Sequence, residues 1–356
     1  MRRLATLCLG LLLVVALATP VAAAQPSQPS QTAQTGQSCS FPVTMTDATG
    51  TEITLEERPE RVTTTNPSAA QTMWEIGGRD QVVGLTRYAS YLAGSESRTN
   101  VSASFGVSVE RVVGTNPDLV IAPNASAGDV QGLREAGLTV YHLPQATNIE
   151  DIREKTTAIG RLTGNCQGAA ETNTWMDANV GTVRNLTSGI EDRPTVLYPL
   201  GSGYVAANST FIDAVLGVAG ADNAASEYSG YPQLNDETVL RMDPEVLILT
   251  ENSAGLAAEQ PYASTAAGRT NTTVTVRVRD LNQPAPRSVV NVVRSLTRQL
   301  YIGPDAAVNR QSATNTATPT PTPTATAATG DSGPGFTAVG AVVAVLLGSL
   351  FLRRRR

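Results

Sequence analysis

One histidine, one lysine and three cysteines in 356 residues leave little material for several kinds of chemistry. With only His142, sites built on several imidazoles, Ser-His-Asp triads and Cys-His dyads have nothing to assemble from. His142 itself reads as a hydrogen-bonded residue at the end of a strand. No phosphate-cradling Gly-Lys loop, dinucleotide fingerprint or zinc spacing occurs. The expectation is therefore no catalytic residues, no metal, no cofactor and no enzyme. Lys155 stands alone against twenty-five arginines, six of which (Arg2, Arg3 and Arg353 to Arg356) sit at the ends. The rest of the chain carries 20 basic against 31 acidic groups, a formal charge of −11. Without a basic stripe to neutralise phosphates, nucleic acid is excluded as a partner. An acidic surface with almost no lysine and 4% aromatics suits very salty surroundings and points to a salt-loving archaeon.

What is present at the ends is addressing information. Met1-Arg2-Arg3, the apolar run Leu4 to Ala18 and the exit Ala22-Ala23-Ala24 have the layout of a secretory signal peptide, expected over 1–24. Cys8 lies inside that run, as part of the signal. A Gln/Ser/Pro/Thr-rich linker follows over 25–38. At the other end a Thr/Pro/Ala-rich spacer over 306–330 leads to Pro334-Gly335-Phe336, an apolar stretch and four arginines. Segment 331–356 resembles the archaeal PGF-type sorting signal, in which the tail is exchanged for a lipid; an uncleaved anchor is the alternative. Either way the chain is expected on the extracellular face of the membrane, attached to it through that lipid or anchor. The sequons at Asn100, Asn124, Asn185, Asn208 and Asn271 fit a glycosylated exterior protein. Cys39 and Cys166, the cysteines outside the signal, are expected to form a disulfide there, two buried thiols being the alternative. Such a bridge adds about 2 to 4 kcal/mol.

The folded part repeats itself. Ser108-Val-Glu110 through Asn116-Pro-Asp-Leu-Val-Ile-Ala, and Asn235-Asp-Glu237 through Asp243-Pro-Glu-Val-Leu-Ile-Leu, lie 127 positions apart. Each copy reads as a polar cap, an acidic first turn, a short helix, a proline and a buried strand. Alternating strands and helices predict an α/β fold of two similar lobes, each a parallel sheet covered by helices. The boundaries are 39–147 for the first lobe, 148–192 for one long connecting helix, in one or two segments, and 193–305 for the second lobe. Gly160, Gly164 and Gly168 mark a bend or break near Cys166, and Trp175 reads as a core anchor.

Loops leaving the C-terminal ends of parallel strands converge on a ligand crevice. Tyr88-Ala-Ser-Tyr91 in the first lobe is echoed by Tyr228-Ser-Gly-Tyr231 in the second, each shortly before its repeat glutamate. Tyr88, Tyr91, Phe105, Tyr204 and Tyr231, with Arg87 as the obvious cation, are the candidate ligand residues; flat faces and hydroxyls suit a large ligand of mixed polarity. Packing of these loops by their own rings is the alternative. Glu110 and Glu237 fall at the same sheet edge, at matched points of both lobes.

These motifs, together with Arg61-Val-Thr, Ile76-Gly77-Gly78, Val83-Gly84 and Pro286-Arg287, resemble the substrate-binding proteins of cobalamin and iron-siderophore ABC importers. The resemblance spans about residues 53 to 303. It implies two lobes joined by a rigid helix, a ligand between them, and two glutamates that dock into arginines of the permease. Glu110 and Glu237 match those docking residues. Tyr88 and Tyr231 fall where the ligand-contacting aromatics of the cobalamin binders lie; Tyr204 and Phe105 match less closely, and the tryptophans common in cobalamin pockets are missing from these loops. The implied partners are an ABC permease with its ATPase subunits and a corrinoid or iron chelate, bound by a monomer. A corrinoid is the first expectation, because its neutral, amide-rich rim suits tyrosines. A siderophore or haem would instead use Arg87, Arg277 and Arg279. A surface enzyme and a structural glycoprotein are the readings from other classes.

Overall fold

Runs buried on both faces, such as Leu119 to Ala122 and Val246 to Leu249, suit interior parallel strands, and they sit inside two separate sheets. The computed structural model describes residues 39–302 together with Ala306 and Ala307. The expected signal peptide, linker, sorting segment and all but two residues of the spacer lie outside the described residues.

The hairpin β1 (Val43–Thr46) and β2 (Glu52–Leu55) precedes the first lobe. There β3 (Val62–Thr64), α1 (Pro67–Glu75), β4 (Val82–Leu85), β5 (Thr99–Asn100), α2 (Val109–Gly114), β6 (Leu119–Ala122), α3 (Ala127–Glu135) and β7 (Val140–His142) follow in turn. All strand pairs are parallel, in the order β5-β4-β3-β6-β7. Helix α1 starts where the sequence says it should: Asn66 accepts from the Ser68 N–H and Pro67 opens the first turn.

Helices α4 (Ile149–Thr163) and α5 (Cys166–Thr187) occupy the stretch expected to be one connecting helix. They are two helices folded back on each other and not segments in line. Gly164 takes the left-handed conformation (φ 72°) that ends α4, and Asn173 Nδ2 on α5 reaches the Arg153 carbonyl on α4. Gly168 has a different reason to be glycine: a Cβ there would lie 2.0 Å from the Ile76 carbonyl oxygen, so α5 rests directly on the end of α1. The pair serves both lobes. Ile159, Leu162 and Ala169 belong to the first lobe's core, while Ile149, Ile152, Met176, Val180 and Val183 belong to the second's. A disulfide joins Cys39 to Cys166, the first residue of α5.

The second lobe comprises β8 (Thr195–Leu197), the small hairpin β9 (Pro199–Gly201) and β10 (Tyr204–Val205), α6 (Phe211–Ala219), β11 (Asp222–Asn223), α7 (Asp236–Met242), β12 (Val246–Leu249), α8 (Ala266–Thr270), β13 (Thr273–Thr275), α9 (Val278–Leu281) and α10 (Pro286–Tyr301). Its sheet is parallel in the order β11-β8-β12-β13.

The repeat holds down to the backbone. Ser108 and Asn235 cap α2 and α7 in the same way, each accepting from the N–H three residues on. Asn116 and Asp243 both adopt left-handed φ, 45° and 42°. Asp118 receives the Arg61 N–H beside β3, and Glu245 receives the Thr195 N–H at the start of β8, so each carboxylate pins a neighbouring strand.

Candidate functional site

The strand ends of both lobes open onto an interlobe cleft with two compartments. The smaller has a volume of about 320 Å3. From the first lobe it receives Asn66, Asn124 and Gln145, which follow β3, β6 and β7; the second lobe contributes Leu200, Phe211, Tyr231 and Asn282. Lys155 of α4 also lines it and is the only charged residue to do so among the described residues. Its side chain is 7% exposed, and burial pushes the amine down to about 8, against a smaller upward pull from Asp151. No hydrogen bond or ion pair is made by its ammonium within the described residues.

The larger compartment, about 430 Å3, lies between α1 and the start of α10. Across it the lobes touch. Gln71 Nε2 donates to Ser288 Oγ at 3.1 Å, and the Arg287 N–H donates to Glu75 Oε2 at 3.0 Å. Glu75 also accepts from Gln71 Nε2 at 2.8 Å and has the Arg287 guanidinium 3.7 Å away. Its carboxyl is nevertheless pushed up to about 7, because burial outweighs these partners. Tyr91 donates its hydroxyl to Gln71 Oε1, with Arg279 over its ring at 5.6 Å. Trp74 lines the same space, so a tryptophan does reach the cleft, from a helix and not from the loops.

Residues 62–281 match the family model described as periplasmic binding protein. The chain belongs to that family. A cobalamin-binding protein from Halobacterium salinarum is 42% identical to this binding protein over 307 residues, 82% of this chain and 83% of that one. Among solved structures, the apo heme-binding protein RhuT from Roseiflexus sp. RS-1 superposes with a TM-score of 0.61 at 22% identity, covering 67% of this chain and 98% of its own. The vitamin B12 binding protein BtuF of Vibrio cholerae gives 0.59 at 20% identity, covering 67% and 95%. At these identities the structural likeness is one of fold.

The expected ligand residues of this binding protein separate into four places. Tyr91 lines the larger compartment and Tyr231 the smaller. Tyr88, Arg87 and Phe105 form a surface group on the first lobe: the Arg87 guanidinium stacks on Tyr88 at 4.9 Å and donates to the Ala103 carbonyl, while Phe105 is 95% exposed. Arg87 is thus spent on tying its own loops together. Tyr204 stands half-exposed on β10 and lines neither compartment. Glu110 and Glu237 are exposed in the first turns of α2 and α7. Trp175 is no core anchor: it sits on α5 with Arg287 at 5.4 Å over its ring, and 37% of it meets solvent. His142 is buried, its Nδ1 2.9 Å from the Ala122 carbonyl oxygen. All five sequon asparagines are exposed.

Sequence reasoning missed Lys155, Gln71, Glu75, Asn282 and Gln145. For the helix residues the period gave no hint, since single polar positions on α1 and α4 look like ordinary helix faces until the packing buries them. Lys155 did carry a signal: it is the one lysine kept in a chain that otherwise uses arginine. Among the described residues no helix is long and apolar enough to cross a membrane, and no group of three or more His, Cys, Asp or Glu could hold a metal ion.

Proposed function

We propose that this chain is the substrate-binding protein of an ABC importer, taking a cobalamin-like corrinoid from outside the cell into its interlobe cleft and delivering it to the membrane permease and its ATPase subunits. The observation that carries this reading is the identity, along most of both chains, with the Halobacterium cobalamin-binding protein. The cleft chemistry supports it. Side-chain amides at Asn66, Gln145 and Asn282, beside Tyr231, Leu200 and Phe211, suit a ligand with a neutral, amide-rich rim and apolar faces. Each compartment lies at or below the middle of the range of about 300–1,000 Å3 that drug-sized ligands occupy, and a corrinoid needs more. Binding therefore requires the lobes to part at the Gln71–Ser288 and Glu75–Arg287 contacts, so that the compartments join. Tyr91 and Tyr231 would meet the ligand first, with Tyr88, Phe105 and Tyr204 at the rim.

Glu110 and Glu237, equivalent by the repeat and exposed on both lobes, are the proposed docking points for arginines of the permease. Segment 331–356 is proposed to be exchanged for a lipid or kept as an anchor, holding a glycosylated monomer on the outer face of the membrane. The chain performs no covalent chemistry in this reading. An anionic iron chelate, such as haem or a ferric siderophore, is the second reading. Arg277, Arg279 and Arg287 around the larger compartment favour it, although Arg277 is paired with Asp280 and Arg287 with Glu75.

Calorimetric titration of the purified full chain at high salt with cyanocobalamin, haem and a ferric hydroxamate tests these readings. Saturable binding of cyanocobalamin is expected, and binding of haem or hydroxamate alone would replace the first reading by the second. Changing both Glu110 and Glu237 to Ala should abolish uptake while leaving binding intact; unchanged uptake would remove the docking assignment.

A further inference from the structure

The smaller compartment contains one charge, and among the described residues nothing makes a direct hydrogen bond or ion pair to it. Lys155 is 7% exposed and faces side-chain amides, hydroxyls and apolar groups. The nearest acid on its own helix, Asp151, is already engaged: its Oδ2 receives the Thr147 N–H at 2.7 Å, the Thr147 hydroxyl at 2.8 Å and the Asn148 N–H at 3.3 Å. Those donors are neutral, so Asp151 keeps its charge and acts on the amine through space, but the pull is smaller than the cost of burial; burying an ammonium with no direct acceptor is costly. The amine's low pKa, about 8, reflects the same burial, which Asp151 offsets only in part.

We propose that Lys155 is the specificity-determining cation of the cleft, binding a single oxygen anion on the ligand, a phosphodiester or a carboxylate, and thereby fixing which end of the ligand lies against α4. The proposal rests on the ligand-binding reading above and deepens it. A complete corrinoid offers one fixed anion, the phosphodiester of its nucleotide loop, amid neutral amides; the compartment offers one unpaired cation amid neutral side chains. A lysine suits this task better than arginine, because a compact ammonium takes one oxygen without demanding a planar, two-pronged partner.

The test uses the full chain at fixed high salt, titrated with cyanocobalamin and with dicyanocobinamide, the same ring lacking the nucleotide loop and its phosphate. Haem and its dimethyl ester, in which the carboxylates are masked, form a second pair. Wild type is expected to bind cyanocobalamin at least about tenfold more tightly than dicyanocobinamide. Lys155→Met should lose that factor for cyanocobalamin, keep dicyanocobinamide within about twofold, and so erase the preference. Thermal melting of each variant shows that it is folded, and Lys155→Arg should recover only part of the preference. Equal losses for both corrinoids, or no loss, would overturn the proposal. If only haem binds, with a Lys155-dependent preference over its ester, the corrinoid reading falls and the anion role stands. If none of the four binds, or haem binds regardless of Lys155, the cation role falls too.

Discussion

In the larger compartment the buried charge, Glu75, is held by Gln71, by the Arg287 N–H and by the Arg287 guanidinium; in the smaller one Lys155 has only the weaker, through-space pull of Asp151. Both groups are almost fully buried and both have pKa values displaced towards neutrality by burial. The difference lies in what closes around them. Glu75 belongs to the lobe contact, where its oxygens take an orphan N–H at the start of α10. Its partners come from its own helix, through Gln71, and from the other lobe, through Arg287, so its role is complete without a ligand. Lys155 remains incomplete, and an incomplete buried charge beside a cavity marks where a ligand supplies the missing half.

Removing the uncompensated charge should sharpen this contrast most. The Lys155 amine falls from 10.5 to about 8 on folding. Below pH 8 both folded and unfolded chains are protonated, so the full penalty is present, and it is relieved only as pH rises from 8 towards 10.5. At pH 7 the unliganded Lys155→Met chain is therefore expected to gain up to about 3 kcal/mol over wild type, measured by denaturant unfolding at fixed salt. A loss of stability there would mean that the ammonium is compensated, and the contrast would break.

The matching change in the other compartment concerns pH. Glu75 rises from 4.5 to about 7 on folding, so between those values the folded chain keeps a proton that the unfolded chain has released. Its contribution is greatest at low pH and falls by about 2–3 kcal/mol as pH climbs from 4.5 to 7. Glu75→Gln should flatten that part of the stability profile; a slope like that of wild type would assign the effect to other groups.

Smaller effects follow. Ser288→Ala removes the bond from Gln71 across the lobes and should cost about 1 kcal/mol of unliganded stability. Because that bond breaks when the compartments join, ligand affinity should stay equal or tighten slightly in calorimetry. The smallest change is expected from Tyr88→Ala, within about 0.5 kcal/mol in stability and well below Tyr231→Ala in its effect on ligand affinity. A larger loss for Tyr88 would move the ligand out of the compartments onto the first lobe's rim.

Much of the fold was legible because the repeat carries its own punctuation. Caps at Ser108 and Asn235 and runs such as Leu119 to Ala122 are local signals, and each produced the expected helix or strand; the left-handed turns at Asn116 and Asp243 between them were not read from the sequence. The glycines near Cys166 were read as a bend or break, and the break is there; that the two helices fold back on each other was not readable, since direction after a turn is set by what the next helix packs on. Trp175 shows the same limit. A large aromatic on a helical period reads as core, yet Trp175 lies on α5 with Arg287 over its ring and 37% of it open to solvent. For the site, Tyr91 and Tyr231 were found from loop position, whereas Arg87 was drawn into local carbonyl contacts that no spacing announces.

The sequence by itself determined the two α/β halves and the matched glutamates, because these rest on local propensity and pattern. Which residues face one another across the cleft was decided only by tertiary structure. Lys155, on α4, Asn66 after β3 and Tyr231 before α7 are far apart in the chain and share no motif. They meet because the helix pair carries the cores of both lobes at once, and that packing places a lone lysine beside the cavity it would otherwise have avoided.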